Sequence, residues 1–257
     1  MNTGSKDSSP ETLPSPSITP SVKSSGESIS YTDLTWELDN AGTLTVSGTG
    51  DMKNYSSAEE VPWYAQRNLI QKVVINAGVK SIGDYVFYEC KSLISAQLPD
   101  SLNSIGKYAF YHCENLKAVD IPANVTFIDE DAFAGCRKPV VLSIPESVKV
   151  IKSYAFAFCD ELRTVKLPCN LTKIPNGLFN RCKSLTDIDI PKTVERIEQY
   201  AFRGCSNLTS VRLPENVNFI GAGVFDGCKN LKSIHYKRGL KGANKLNDGN
   251  SARLISY

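Results

Sequence analysis

The chain has 257 residues, 41% of them hydrophobic and 22% charged, with 29 basic side chains against 27 acidic ones and a net charge of +2. This is the composition of an ordinary globular protein, and the charge balance provides no field to attract nucleic acid or an anionic membrane surface. No apolar run approaches the roughly 20 residues needed to cross a bilayer, and the N-terminus carries no hydrophobic signal region from which export could be read directly.

Residues 1–28 are rich in Ser, Thr and Pro and nearly free of large apolar side chains. Such a segment cannot offset the entropy of ordering, and it reads as a disordered tether or as a leftover of expression. Residues 29–69 follow as an N-terminal cap. Apolar and polar residues alternate there around Asp39-Asn40-Ala41-Gly42, which is a β-hairpin signal. Trp36, Trp63 and Tyr64 supply bulky apolar surface. Ile70, Val73, Ile75 and Val79 then form a leading half-repeat.

A strict repeat occupies residues 70–236. Cys90, Cys113, Cys136, Cys159, Cys182, Cys205 and Cys228 are spaced by 23 residues without one insertion. A Phe lies three residues before each (Phe87 to Phe225), an Ile eight before each, and a Pro nine after each of the first six. Self-similarity at such a period is the signature of a solenoid. After each Leu comes an alternation such as Val119-Asp120-Ile121, the pattern of a short strand with one face buried. The Ile-x-x-x-Ala-Phe-x-x-Cys half has spacings of three and four, which suit a tight helical or 3₁₀ turn. One unit is too small to hold itself together, so the coils must stack and share backbone hydrogen bonds. The expected result is a continuous parallel sheet of seven strands.

Ser101, Asn124, Ser147, Asn170, Thr193 and Asn216 recur just before each opening Val or Leu, and a polar ladder to neighbouring backbone is expected there. The sequons at Asn124 and Asn170 therefore need no glycan to explain them and are expected to be inaccessible; those at Asn54 and Asn207 lie outside the ladder. After Tyr236 the consensus stops. Residues 237–257 cap the last coil through Leu254 and Ile255 or run on as a tail, and their five basic residues favour a solvated tail.

The L-x-x-[LV]-x-[LI]-x-x-[NS] stretch resembles the strand motif of leucine-rich repeats. The 23-residue length with AFxxC is similar to the Treponema-type, BspA-like class. Residues 31–64 resemble the segment that precedes such repeats in bacterial surface proteins. The resemblance implies an α/β repeat solenoid: a right-handed leucine-rich repeat coil with a parallel sheet on its concave face, short helical or 3₁₀ turns on its convex side and an N-terminal hairpin cap. It further implies a secreted or cell-surface module that binds a protein ligand, host extracellular or surface proteins being one class. A structural spacer with no discrete ligand is the alternative.

The seven periodic cysteines have no C-x-x-C or paired His beside them and do not read as metal ligands. Stacked coils point equivalent side chains the same way, so they read as buried free thiols acting as small hydrophobes. Cys169 breaks the period in a turn and is expected to be exposed. His112 and His235, the two histidines, lack a catalytic motif, and His112 is expected to face solvent. No enzyme activity and no cofactor are expected. Binding would fall on the outward strand positions, which hold charges and no aromatic residue. Lys166, Asp187, Asp189, Arg212 and His235 are the candidates. On the opposite face Tyr85, Tyr108, Tyr154 and Tyr200 are expected to pack between coils. Tyr88 and Tyr111 are expected to be exposed; an adhesive strip is one reading of them, and structural packing is favoured over it.

Overall fold

A computed structural model describes residues 34–257. The Ser/Thr/Pro-rich segment 1–28 and the first residues of the cap lie outside it. An antiparallel hairpin, Thr35–Leu38 with Thr43–Ser47, opens the fold. Its second strand pairs in parallel with Lys72–Ile75, which pairs with Ser95–Gln97. From there the chain winds in coils whose equivalent residues stand side by side 23 positions apart, as Thr164 beside Val141 and Val211 beside Ile234. The middle residue of each later strand is buried and its neighbours face outward, which is why the sequence alternates.

The recurring Ile builds a second sheet. Gly50–Asp51, Val79–Ile82, Ser104–Ile105, Phe127–Ile128 and Val150–Ile151 form one ladder, and Lys173–Ile174, Arg196–Ile197 and Phe219–Ile220 another. Within each, the amide after the Ile donates to the Ile carbonyl one coil back, as Lys152 to Ile128 at 2.9 Å and Glu198 to Ile174 at 2.9 Å. Pro175 holds that position in the coil between the two ladders. It has no N–H to give to Ile151, and the sheet breaks there.

The turn side is made of 3₁₀-type turns rather than continuous helix. Amides alternate in their direction: those of Tyr88 and Cys90 donate back three residues, to Tyr85 and Phe87, while those of Tyr85, Phe87 and Glu89 donate to Lys107, Ala109 and Tyr111 of the next coil. This alternation puts two residues per coil, four apart, at positive φ. The first positions are Tyr85, Tyr108, Asp131, Tyr154, Gly177, Tyr200 and Gly223, and the second include Glu89, His112, Gly135, Phe158 and Arg181. Side chains at these positions lean over the next coil, so that a Cβ on Gly177 would lie 2.1 Å from the Tyr154 ring.

The seven phenylalanines stack in one fully buried column, with centroids 5.0–6.3 Å apart. Trp63 extends the column at its N-terminal end, stacked 6.1 Å from Phe87, with its indole N–H on the Val86 carbonyl. At the other end the chain does not trail into solvent. Leu246 is fully buried, and Arg253–Ser256 pairs in parallel with Ser233–Tyr236, placing Leu254 beside Ile234. Burying the last coil's open edge decides this over the charge of the segment.

All six members of the polar ladder reach carbonyls of the preceding coil, for example Asn124 Nδ2 to Asp100 at 2.7 Å and Ser147 Oγ to Val125 at 2.7 Å. Asn124 and Asn170 nevertheless sit at the surface rather than being inaccessible, because the ladder runs along an outer corner. The periodic cysteines are buried and free. Burial pushes up the thiols of Cys90, Cys113, Cys136, Cys205 and Cys228, to about 12 for Cys90 and Cys228. Six of them, Cys113 to Cys228, also donate to the carbonyl of a Phe 26 residues earlier, at 3.1–3.6 Å. They form a ladder of hydrogen bonds as well as a packed column.

Candidate functional site: a seam in the strand face

The strand face is not one continuous sheet. It falls into three: the four-stranded sheet ending at Ser95–Gln97, the pair Val141–Ser143 with Thr164–Lys166, and the three strands from Ser210–Arg212 onward. The coils at 117–121 and 186–190 form no strand. In paired coils the amide closing the strand donates to the next coil, as Ile144 to Lys166 at 3.0 Å and Leu213 to His235 at 2.8 Å. The equivalent amides of Leu98, Ile121, Leu167 and Ile190 make no such bond. The two unpaired coils are those with Asp at the outward positions, Asp120 in one and Asp187 with Asp189 in the other, where paired coils carry Ser, Thr, Gln, Val, Lys, Arg or His. Aspartate is among the residues least suited to a strand, and each seam follows from that choice.

The seam between 186–190 and Ser210–Arg212 opens into a cleft of about 530 Å³ lined by Ile188, Asp189, Arg212, Pro214, Glu215 and Tyr257, among others. Tyr257 arrives there because the last strand pairs with Ser233–Tyr236 and its amide takes the Tyr236 carbonyl. Its hydroxyl donates to the Leu213 carbonyl, and the Arg212 guanidinium stacks 4.3 Å from its ring centroid. The strand face thus does carry an aromatic residue, contrary to the sequence reading. That residue lies beyond the last repeat, where periodicity gives no signal.

Lys166, Asp187, Asp189 and Arg212 are all exposed, and His235 is half-buried. Asp189 and Arg212 meet at the cleft. Lys166 lies on the far side of the Asp187–Asp189 coil, with Glu146 4.0 Å from its Nζ, and His235 stands one coil beyond Arg212, directly beside it. Among the described residues, none of the row's opposite charges comes within ion-pair distance of another in the row. The splayed seam holds them apart and leaves their charge available.

Cys169 is exposed in its turn. Its amide donates to Glu146 at 2.7 Å, which holds that carboxyl below its usual range, and the carboxylate in turn raises the Cys169 thiol. His112 is half-buried rather than solvent-facing, because its backbone at positive φ folds the ring over Gly135. Among the described residues no three of His, Cys, Asp and Glu gather as a metal site would require, and no helix is long and apolar enough to cross a membrane.

Comparison with known proteins agrees with this architecture. The BspA-type leucine-rich repeat family model matches residues 62–186 and 140–245, in six copies. A leucine-rich repeat protein from Bacteroides ovatus superposes with a TM-score of 0.63 at 24% identity, covering 87% of this chain and 66% of that one. One from Eubacterium ventriosum gives 0.53 at 22%, covering 88% and 74%. A leucine rich cell surface protein from Faecalibacterium prausnitzii gives 0.52 at 26%, covering 83% and 56%. This chain therefore spans just under two thirds of the first of these proteins and little more than half of the last. No curated protein matches it. With its 23-residue coils, phenylalanine column and matching family model over most of its length, the chain belongs to the BspA-type leucine-rich repeat family.

Proposed function

We propose that this chain is a non-catalytic binding module of a bacterial cell-surface protein, and that it engages a partner protein through its strand face at the seam beside Arg212. The observation that carries this reading is the cleft itself. It joins an apolar floor, Ile188 and Pro214, to an arginine stacked on a tyrosine and to the unpaired acid Asp189. Protein interfaces concentrate their energy at such sites, where Tyr and Arg are enriched and charges can be desolvated against a partner. The open amide of Ile190 adds a donor that a partner's backbone carbonyl can take. Lys166, Asp187 and His235 flank the anchor and set its charge pattern. Surface placement is supported by the family and by the Faecalibacterium relative.

The test is a binding screen of the full chain against immobilised host extracellular and surface proteins, repeated with Arg212→Glu and Tyr257→Ala. Saturable binding that falls at least tenfold in both variants, with unchanged thermal unfolding, is the expected result. Binding that neither variant alters would overturn the assignment of the seam. A chain that captures no partner would instead be a spacer between other parts of a surface protein.

A further inference from the structure

The first two full coils carry on their turn side a group of aromatic rings that later coils lack. Tyr88 stacks on Tyr111 at 5.0 Å with planes 12° apart, and Tyr85 lies 5.0 Å from Tyr108. Tyr108 meets Tyr111 edge-on at 5.3 Å. The positions equivalent to Tyr88 and Tyr111 in the next two coils are Ala134 and Ala157, both fully buried. The repeat therefore closes without a ring at this position, and the Tyr88–Tyr111 pair is additional to what folding needs. None of the four phenol groups has a hydrogen-bond partner among the described residues.

Two carboxylates stand beside these rings. The charges of Asp131 and Glu89 both bear on the Tyr111 hydroxyl, and Glu89 also on that of Tyr88. Neither carboxylate has a cation within ion-pair distance among the described residues, whereas their neighbour Glu130 is paired with Lys107 at 2.7 Å. One ring of this cluster already accepts a cation at its margin, Lys107 Nζ lying 5.0 Å from the Tyr108 centroid. At the centre, between Tyr88, Tyr111, Glu89 and Asp131, no cation among the described residues lies within ion-pair distance of Glu89 or Asp131, and Lys107, whose charge reaches Asp131, is engaged by Glu130.

We propose that this centre is a second binding site, separate from the strand-face seam, which takes an arginine or lysine side chain of a partner polypeptide. A cation gains there from two carboxylates, from phenol oxygens and from ring faces, and such contacts strengthen on desolvation. The chemistry favours a cation over a neutral sugar. The two central rings cover one face of each other, so they offer little of the open platform on which a sugar ring lies, while every free polar group at the centre can act as an acceptor.

The probe is a fluorescently labelled octa-arginine peptide, titrated with the full chain and followed by anisotropy, with octa-glutamate as control. The protein's net charge of +2 disfavours non-specific attraction of the peptide. Saturable octa-arginine binding is expected, falling about tenfold for Tyr88→Ala/Tyr111→Ala and by a similar factor for Glu89→Gln. Arg212→Glu should leave it intact. Alanine is what the next coils carry at this position, so the double variant should fold, and circular dichroism checks that it does. Undiminished binding by folded Tyr88→Ala/Tyr111→Ala, no binding by the native chain, or displacement of the peptide by neutral maltoheptaose would each overturn the proposal.

Discussion

The thiol of Cys182 donates to the carbonyl oxygen of Phe156 at 3.1 Å, and among the described residues that carbonyl has no other donor. The column position is therefore not simply a small apolar slot. If it were, alanine would be a better replacement than serine, because serine buries a hydroxyl. The hydrogen bond reverses that order. Cys182→Ala orphans a buried carbonyl and leaves a void, at a cost of about 2–4 kcal/mol. Cys182→Ser keeps a donor and should cost less. Urea unfolding of the two variants decides between the views; an alanine variant as stable as the serine one would show that the thiols merely fill space.

Native-state thiol labelling should modify one cysteine of the eight. Cys169 is exposed and the other seven are buried, several with thiols pushed up by desolvation. Even Cys169 should react slowly for an exposed thiol, because Glu146 raises its pKa and reagents attack the thiolate. Glu146→Gln should move the pH profile of labelling to lower pH and speed the reaction at pH 8, because the thiolate fraction rises once the neighbouring carboxylate is gone. Mass spectrometry after a timed pulse reads both effects. Rapid labelling of a second site would mean that the column opens.

Asp131 occupies a positive-φ position, half-buried beside Tyr108 and Tyr111. Desolvation first, and the Glu130 charge second, push its carboxyl up to about 6, with Lys107 opposing. The folded state thus holds this proton more tightly than the unfolded state, whose ordinary value is 3.8. Between roughly pH 4 and 6 the group's contribution to stability falls as pH rises, and above that window the penalty is fully present. Solvent screening at a half-exposed carboxylate limits the penalty to on the order of 1 kcal/mol. Asp131→Asn, whose side chain also tolerates positive φ, should raise the melting temperature at pH 7 and flatten the slope between pH 4 and 6. An unchanged slope would remove Asp131 from the account.

The periodic features were legible because one physical role recurs at one spacing. Phe every 23 residues could only be a stack, and the Ser/Thr/Asn positions could only be a ladder, once coils were inferred. Departures from the repeat were harder to read, since each acts through a single residue. Pro175 splits the Ile sheet by lacking one N–H. Asp120, Asp187 and Asp189 mark the strand-face seams, and those aspartates looked in the sequence like any outward charge. The alternating amides of the turn side left their trace only as glycines, Gly177 and Gly223 standing where other coils have Tyr or Asp, and Gly135, Gly204 and Gly227 at the second position. Tyr257 reaches the candidate site from outside the repeat, so no pattern pointed to it. The outward placement of Lys166 and Arg212, by contrast, follows from alternation alone.

Tyr154 and Gly177 test the turn-side packing most directly. Gly177 has φ +60°, and a Cβ there would lie 2.1 Å from Tyr154 Cε1 and 2.3 Å from Cδ1. Gly177→Ala thus meets two separate costs. A non-glycine residue in the left-handed region costs about 1–2 kcal/mol, and overpacking against the ring costs about 1–3 kcal/mol more. Tyr154→Ala removes the ring and leaves only the first cost. In a double-mutant cycle the alanine at 177 should be less damaging by about 1–3 kcal/mol in the Tyr154→Ala background. Tyr85 and Tyr108, which both stand at positive φ with centroids 5.0 Å apart, show that a non-glycine residue is tolerated when the neighbouring ring is placed to admit it. Additive losses from Tyr154→Ala and Gly177→Ala would mean that the ring does not press on the glycine, and that backbone conformation alone selects Gly at this position.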